Sequence, residues 1–438
     1  MLIDRSYFKL FFFFCAMPDS LDGDITKNEI MNLQIEWSNP ESNLSEQKRS
    51  PLWLREVTSK DAENGMDVQG ITWDTLNVSR QRYRELRLMD YKNYENVQKS
   101  HDEIKKEIKP VRTNAQFYNF KYTTLSHKCS IVHFQLRNLL WSTGRNDIFY
   151  THSSRIGHWN SIMKNSDVAL DLSLNNRNAE TIFEISTFAC KDNYLLVGGL
   201  YGEFACRRID ADPIQFGTIT TDANGITNHM DIIESRTGGA AVAVISSNDK
   251  KSRIMDLATL RFTDTYDFQW PVNCTSVSPN KDLLCVVGDD TDSVVVSADS
   301  GKPIATLKGH IDFSFACCWS PDGKIIATGN QDKTTRLYDT RNMSKAFNVL
   351  GARIGAVRSL HFSEDGRYLA MAEPADFVHI FDAHTFERSQ VIDLFGEIAG
   401  VTFTPDAEGL YIANADENYG CILEYERISP INHYTELI

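Results

Sequence analysis

Five residues set the length of this chain's repeating unit. Met255, Val296, Tyr338, Phe381 and Tyr425 each close a short β-rich run, and they follow one another at intervals of 41, 42, 43 and 44 residues. A unit of that length is one supersecondary element that cannot bury its faces alone, so neighbouring copies must stack. From Gln116 to Glu426 short β-rich runs alternate with turn clusters, and no long helical period interrupts them. The pattern predicts an all-β repeat fold.

The clearest copy is "LKGHIDFSFACCWSPDGKIIATGNQDKTTRLYDTRN", Leu307–Asn342. Gly309-His310 precedes a first strand, Ser320-Pro321-Asp322-Gly323 forms a turn, a second strand follows, and Asp332 sits in a tight turn before a third strand ending in Tyr338-Asp339. The unit resembles a WD40 (transducin-like) repeat, with Gly309-His310 and Tyr338-Asp339 standing for the family's Gly-His and Trp-Asp pairs. The resemblance implies a buried polar network in which Asp332 accepts hydrogen bonds from its own turn and from His310, and His310 reaches Thr328 and the strand-end aromatic. A satisfied network of this kind rigidifies. His310 is accordingly read as structural, and Tyr338 in place of Trp alters the last link.

Decayed copies surround it. Asp249 stands six residues before Met255, with His229 upstream, and Asp290 stands six before Val296; both are expected to serve networks like that of Asp332. The copy ending Phe381-Asp382 has Ala352 in place of the histidine and Ala375 in place of the turn aspartate, and another ends Tyr425-Glu426. Weaker units lie at Asp147–Ser161 and Tyr194–Asp210. Together they give an expected seven-bladed WD40 β-propeller over residues 116–428, with Gln116–Leu125 supplying the outer strand of the last blade. Residues 429–438 are a tail.

Residues 1–68 read as a disordered, acidic N-terminal region. The apolar run Leu10–Met17 is too short to span a bilayer, and residues 1–16 are expected to be a translated upstream extension before Met17. Residues 69–115 form a helical, basic–aromatic segment. Arg80, Arg82, Arg84 and Arg87 surround Tyr83 there, as a packing helix or as a linear motif for an acidic partner. Gln69–Val97 joined to a propeller is similar to a little-characterised group of plant and fungal WD-repeat proteins. The nine cysteines show no CxxC spacing and mostly fall in apolar strands. They read as buried small side chains in a reducing compartment, with neither disulfide framework nor metal site.

A net charge of −14 disfavours phosphate-backbone binding. No Gly-rich phosphate loop, HExxH or GxSxG is present, so neither catalytic residue nor cofactor is expected. The reading is a monomeric, non-enzymatic scaffold of nucleus and cytoplasm that binds proteins, with no membrane partner. By resemblance, Asp312, Phe313, Ser314 and Gln331 are its contacts on the blade's top face. "IIATGNQDKTTRLYDTR", Ile325–Arg341, also resembles the DWD box or WDxR motif of cullin-four RING ubiquitin-ligase substrate receptors. That likeness implies docking on the ligase's damaged-DNA-binding-type adaptor through Arg341 and Asp339. The alternative is a stand-alone scaffold or transcription and signalling regulator; a nucleic-acid binder using Arg80–Arg87 ranks behind both.

Overall fold

The computed structural model describes residues 55–173, 182–211, 213–235, 238–239, 241–416 and 418–428. The extension at 1–16, most of the N-terminal region and the C-terminal tail lie outside them. The chain divides into two units, and Arg55–Gly70 with everything from Tyr94 onward forms the larger.

That larger unit is antiparallel sheet almost throughout. Four-stranded sheets span residues 140–171, 185–218, 227–267, 272–307 and 314–351, here sheets one to five. An eight-stranded sheet, sheet six, follows, and one long strand, Ser389–Phe403, serves both of its halves. Its first part pairs with Ala375–Asp382, and Ile398–Phe403 pairs with Gly409–Asn414. The first strand of each sheet packs against the first strand of the next, and Ser389–Phe403 packs against Leu140–Ser142 of sheet one.

Sequence decides which strands are inner. Ile325–Asn330 and Tyr368–Ala372 are rich in aliphatic and small residues and bury nearly every side chain. Arg261–Asp267, Arg-Phe-Thr-Asp-Thr-Tyr-Asp, buries only Tyr266. Apolar clusters fill the spaces between neighbouring sheets. The one around Leu139, Leu140, Ile148 and Trp159 reaches Ala399, Tyr411 and Ile422, joining sheet one to the end of the chain. Each fully buried aliphatic side chain in these layers contributes roughly 1.5–3 kcal/mol.

The last sheet is closed from the N-terminal side. Tyr118–Thr124, inside the expected closing segment, pairs with Cys421–Arg427. Outside it lies a further strand, Glu56–Thr58, in antiparallel register with Thr124–Tyr122. Residues 55–68 are therefore not part of a disordered region: Val57 is fully buried, and Thr58 and Asp61 form a reciprocal capping box on helix α1, Ser59–Glu63. Gln69 completes the attachment. Its amide donates to the Phe395 carbonyl at 2.8 Å and accepts from the Phe395 N–H at 2.6 Å. The acidic composition of residues 17–68 concealed this, because a three-residue strand carries too little periodicity to be seen.

The smaller unit, Ile71–Asn93, holds helix α2, Arg80–Asp90, capped by the Ser79 hydroxyl, which accepts from the Arg82 N–H at 3.2 Å.

Candidate interaction site

Sheet five carries the most complete polar network. The turn before strand Thr334–Asp339 places Asp332 where its carboxylate meets the His310 ring, Nδ1 to Oδ2, at 2.8 Å. The other ring nitrogen lies 2.9 Å from the Thr328 hydroxyl. The Ile311 and Thr334 N–H groups and the Thr334 hydroxyl also donate to Asp332. Burial pushes the Asp332 carboxyl up; the His310 ring and these hydrogen bonds outweigh it and hold the group below its usual range. Tyr338 donates its hydroxyl to the Lys308 carbonyl at 2.9 Å. Gly309 has φ +124, and a Cβ there would meet the Arg336 guanidinium at 2.6 Å. A glycine before the histidine is thus a steric requirement.

The decayed copies use other means. His229 and Asp249 are not brought together. Asp249 receives both guanidinium nitrogens of Arg253, one at 3.1 Å, while His229 faces the Cys274 thiol of the next sheet. Asp290 meets no histidine; its carboxylate accepts from the Asp292 N–H at 3.0 Å. In the copy without a turn aspartate, the fully buried Glu373 accepts from the N–H groups of Arg353, Ile354 and Gly355 at 2.7, 2.7 and 2.8 Å. His379 sits 2.7 Å from the same carboxylate. Sequence spacing missed this pair because the acid comes from the end of the second strand and the histidine from within the third.

Two rims of sheet five carry the residues expected to bind partners. At one end lie Asp312, Phe313, Ser314 and Gln331, the expected partner contacts. Asp312 and Gln331 are each 1% exposed and Ser314 is fully buried. They are not open to a partner, because the chain itself occupies them. The Asn96 backbone N–H and side-chain amide donate to the two Asp312 oxygens, both at 2.9 Å. Gln331 donates to the Tyr94 carbonyl at 2.7 Å and accepts from Arg358 at 2.6 Å. Ser314 accepts from Asn330 at 2.8 Å, inside the sheet, and Phe313 is half-buried. The segment then runs along sheets five and six. Helix α3, Asp102–Glu107, sets Glu107 2.9 Å from the buried Arg336, and the Lys109 and Arg112 N–H groups donate to the Val349 and Glu387 carbonyls.

At the other end, a six-residue strand of roughly 20 Å away, stand Asp339 and Arg341. The guanidinium lies on the Asp339 carboxylate at 2.9 and 2.6 Å, and the Arg341 N–H donates to the same group. The arginine side chain is 81% exposed. Its hydrogen bonds hold the Asp339 carboxyl down at about 2. Arg341 therefore has an intramolecular partner while facing solvent.

In the smaller unit Tyr83 packs on Trp73 at 5.8 Å with Arg87 over its ring at 5.9 Å, and Arg82 pairs with Glu85 at 3.3 Å. Arg84 is buried and Arg80 half-buried, so the four arginines do not form one open basic face.

All eight cysteines of the described residues are free, seven of them buried, and no group of three or more His, Cys, Asp or Glu there is arranged to hold a metal. No helix among the described residues is long and apolar enough to cross a membrane.

The chain is all-β with a propeller-like fold, and residues 301–339 match the WD domain, G-beta repeat family. It is similar to an uncharacterized protein of Schizosaccharomyces pombe, 25% identical over 312 residues, covering 66% of this chain and 86% of that one. It is also similar to eukaryotic translation initiation factor 3 subunit I of Caenorhabditis briggsae, 26% identical over 170 residues, 35% of this chain and 50% of the relative. Protein SOF1 of Saccharomyces cerevisiae is 26% identical over 159 residues, 34% of this chain and 32% of its own. A chain in a crystal structure of the mitotic checkpoint complex shares the fold, with TM-score 0.59 and 16% identity over 73% of this chain and 94% of that one.

Proposed function

We propose that this protein is a non-enzymatic, protein-interaction scaffold built on seven blades. The eight-stranded sheet divides at Ser389–Phe403 into two blades, and the inner-strand contacts return from that strand to Leu140–Ser142. One observation carries the scaffold reading: the best-formed blade spends its histidine and aspartate on a closed structural network and leaves the end that carries the exposed Arg341 for recognition. The printed names of a relative and a neighbour, an initiation-factor subunit and a checkpoint complex, point to components of assemblies. Affinity purification of the full chain from its own cells, followed by size-exclusion chromatography, tests the reading. A defined co-eluting partner is expected; a monomeric chain with no stoichiometric companion overturns it.

A narrower reading makes the protein a substrate receptor of a cullin-four ligase, at work in nucleus and cytoplasm. Arg341 favours it, being preorganised by Asp339 and exposed on the rim where that motif's arginine stands. The expected result is recovery of the adaptor by wild type and its loss with Arg341→Ala; equal recovery, or none from either, removes the reading.

A further inference from the structure

From the contacts of Asp312 and Gln331 we infer a peptide-binding site on the rim of sheet five that reads an irregular segment bent at an asparagine, and that residues 94–97 fill in cis. The inference rests on the scaffold reading and names the kind of partner segment that would use this rim.

The site presents a mixed set of donors and acceptors. The Asp312 carboxylate takes two hydrogen bonds from one residue, the Asn96 N–H and side-chain amide, both at 2.9 Å, and a longer one from the Val97 N–H at 3.4 Å. Two residues back, the Tyr94 carbonyl accepts from Gln331 at 2.7 Å. This is main-chain recognition with one side-chain test. The carboxylate demands a residue that offers both a backbone N–H and a side-chain donor. Aspartate in that place would set two carboxylates together, and proline would lack the N–H.

The site is also held by contacts that do not involve its occupant. Arg358 holds Gln331 at 2.6 Å and lies over the Phe315 ring at 3.7 Å. The Asp312 carbonyl and the Ser314 hydroxyl both accept from Asn330. The occupant is neither helix nor strand, and Tyr94 is 51% exposed, edge-on to the half-exposed Phe134 at 6.5 Å. Its tether to the same chain gives it a high effective concentration, in the millimolar range for short flexible links. A free peptide therefore competes poorly with it until the tethered copy is weakened. A partner's segment with the same bend and asparagine chemistry would take its place.

The test uses the full chain and a fluorescent peptide, Tyr-Glu-Asn-Val-Gln-Lys, matching residues 94–99. Asn96→Ala should bind the peptide saturably and at least ten-fold more tightly than wild type, with faster amide exchange at 94–99. Peptides with aspartate or alanine for asparagine should bind at least ten-fold more weakly, and Asn96→Ala/Asp312→Ala should bind none of them. An Asn96→Ala chain with wild-type circular dichroism and melting that fails to bind, or binding that ignores the asparagine, overturns the inference. The peptide reads the site and the affinity purification reads the existence of partners, so either can fail while the other stands.

Discussion

At the residue scale, His310 and Asp332 behave as one unit. Both are buried, so removing either leaves the other without its partner, a loss of about 3–5 kcal/mol for such pairs. Asp332→Ala should lower the unfolding free energy from urea melts by that amount, whereas Asp290→Ala, which frees one loop N–H, should cost about 1 kcal/mol or less. Equal effects would falsify the assignment of the network to sheet five. The pH dependence has a definite sign. Asp332 is held below its unfolded value of about 3.9, so its contribution is complete above that pH and disappears as pH falls through the lower folded value. The stability gap between wild type and Asp332→Asn should stay constant from pH 7 to 5 and narrow below pH 4. Arg341→Ala should leave the melting temperature unchanged, since the pair it breaks is solvent-screened. Asp332 and His310 were legible because their spacing follows the repeat. Glu373 and His379 do the same work from positions that no spacing rule reaches.

At the scale of elements, the strand Glu56–Thr58 covers the outer strand Tyr118–Thr124 of the last sheet, and the Gln69 clasp ties the chain that follows to Phe395 in its long strand. Open edges invite pairing with other chains. Val57→Ala should cost about 2 kcal/mol, since its fully buried side chain has nowhere to collapse. Gln69→Ala should cost about 1–3 kcal/mol by stranding the Phe395 N–H and carbonyl. Both are measurable by calorimetry on the full chain. Unchanged melting in both variants would mean that residues 55–70 add nothing to the sheet. Composition pointed away from structure here. The polar Glu56 and Thr58, both half-buried, tell nothing of the one valine between them that packs inward.

At the scale of the molecule, residues 118–124 and 421–427 meet in one sheet although the whole repeat array lies between them. Stability on this plan is shared around the inner strands, because each apolar layer belongs to two sheets. Truncation before Cys421 should therefore destabilise sheets one to five as well as the eight-stranded sheet. Hydrogen exchange should show faster exchange across all of them; protection retained in sheets two to four would show that the sheets fold independently.

The sequence by itself determined the period, the all-β class, the best-formed blade and its histidine–aspartate–threonine network, because strand alternation and turn chemistry are local and recur at a fixed interval. Tertiary structure alone decided which loop residues stay open to solvent. Asp312 and Gln331 carry the polarity of loop contacts, but a segment more than two hundred positions away folds onto them and takes their hydrogen bonds. No local pattern encodes that meeting. It follows from where the closing strand Tyr118–Thr124 must lie, and from the path the preceding residues take across sheets five and six to reach it.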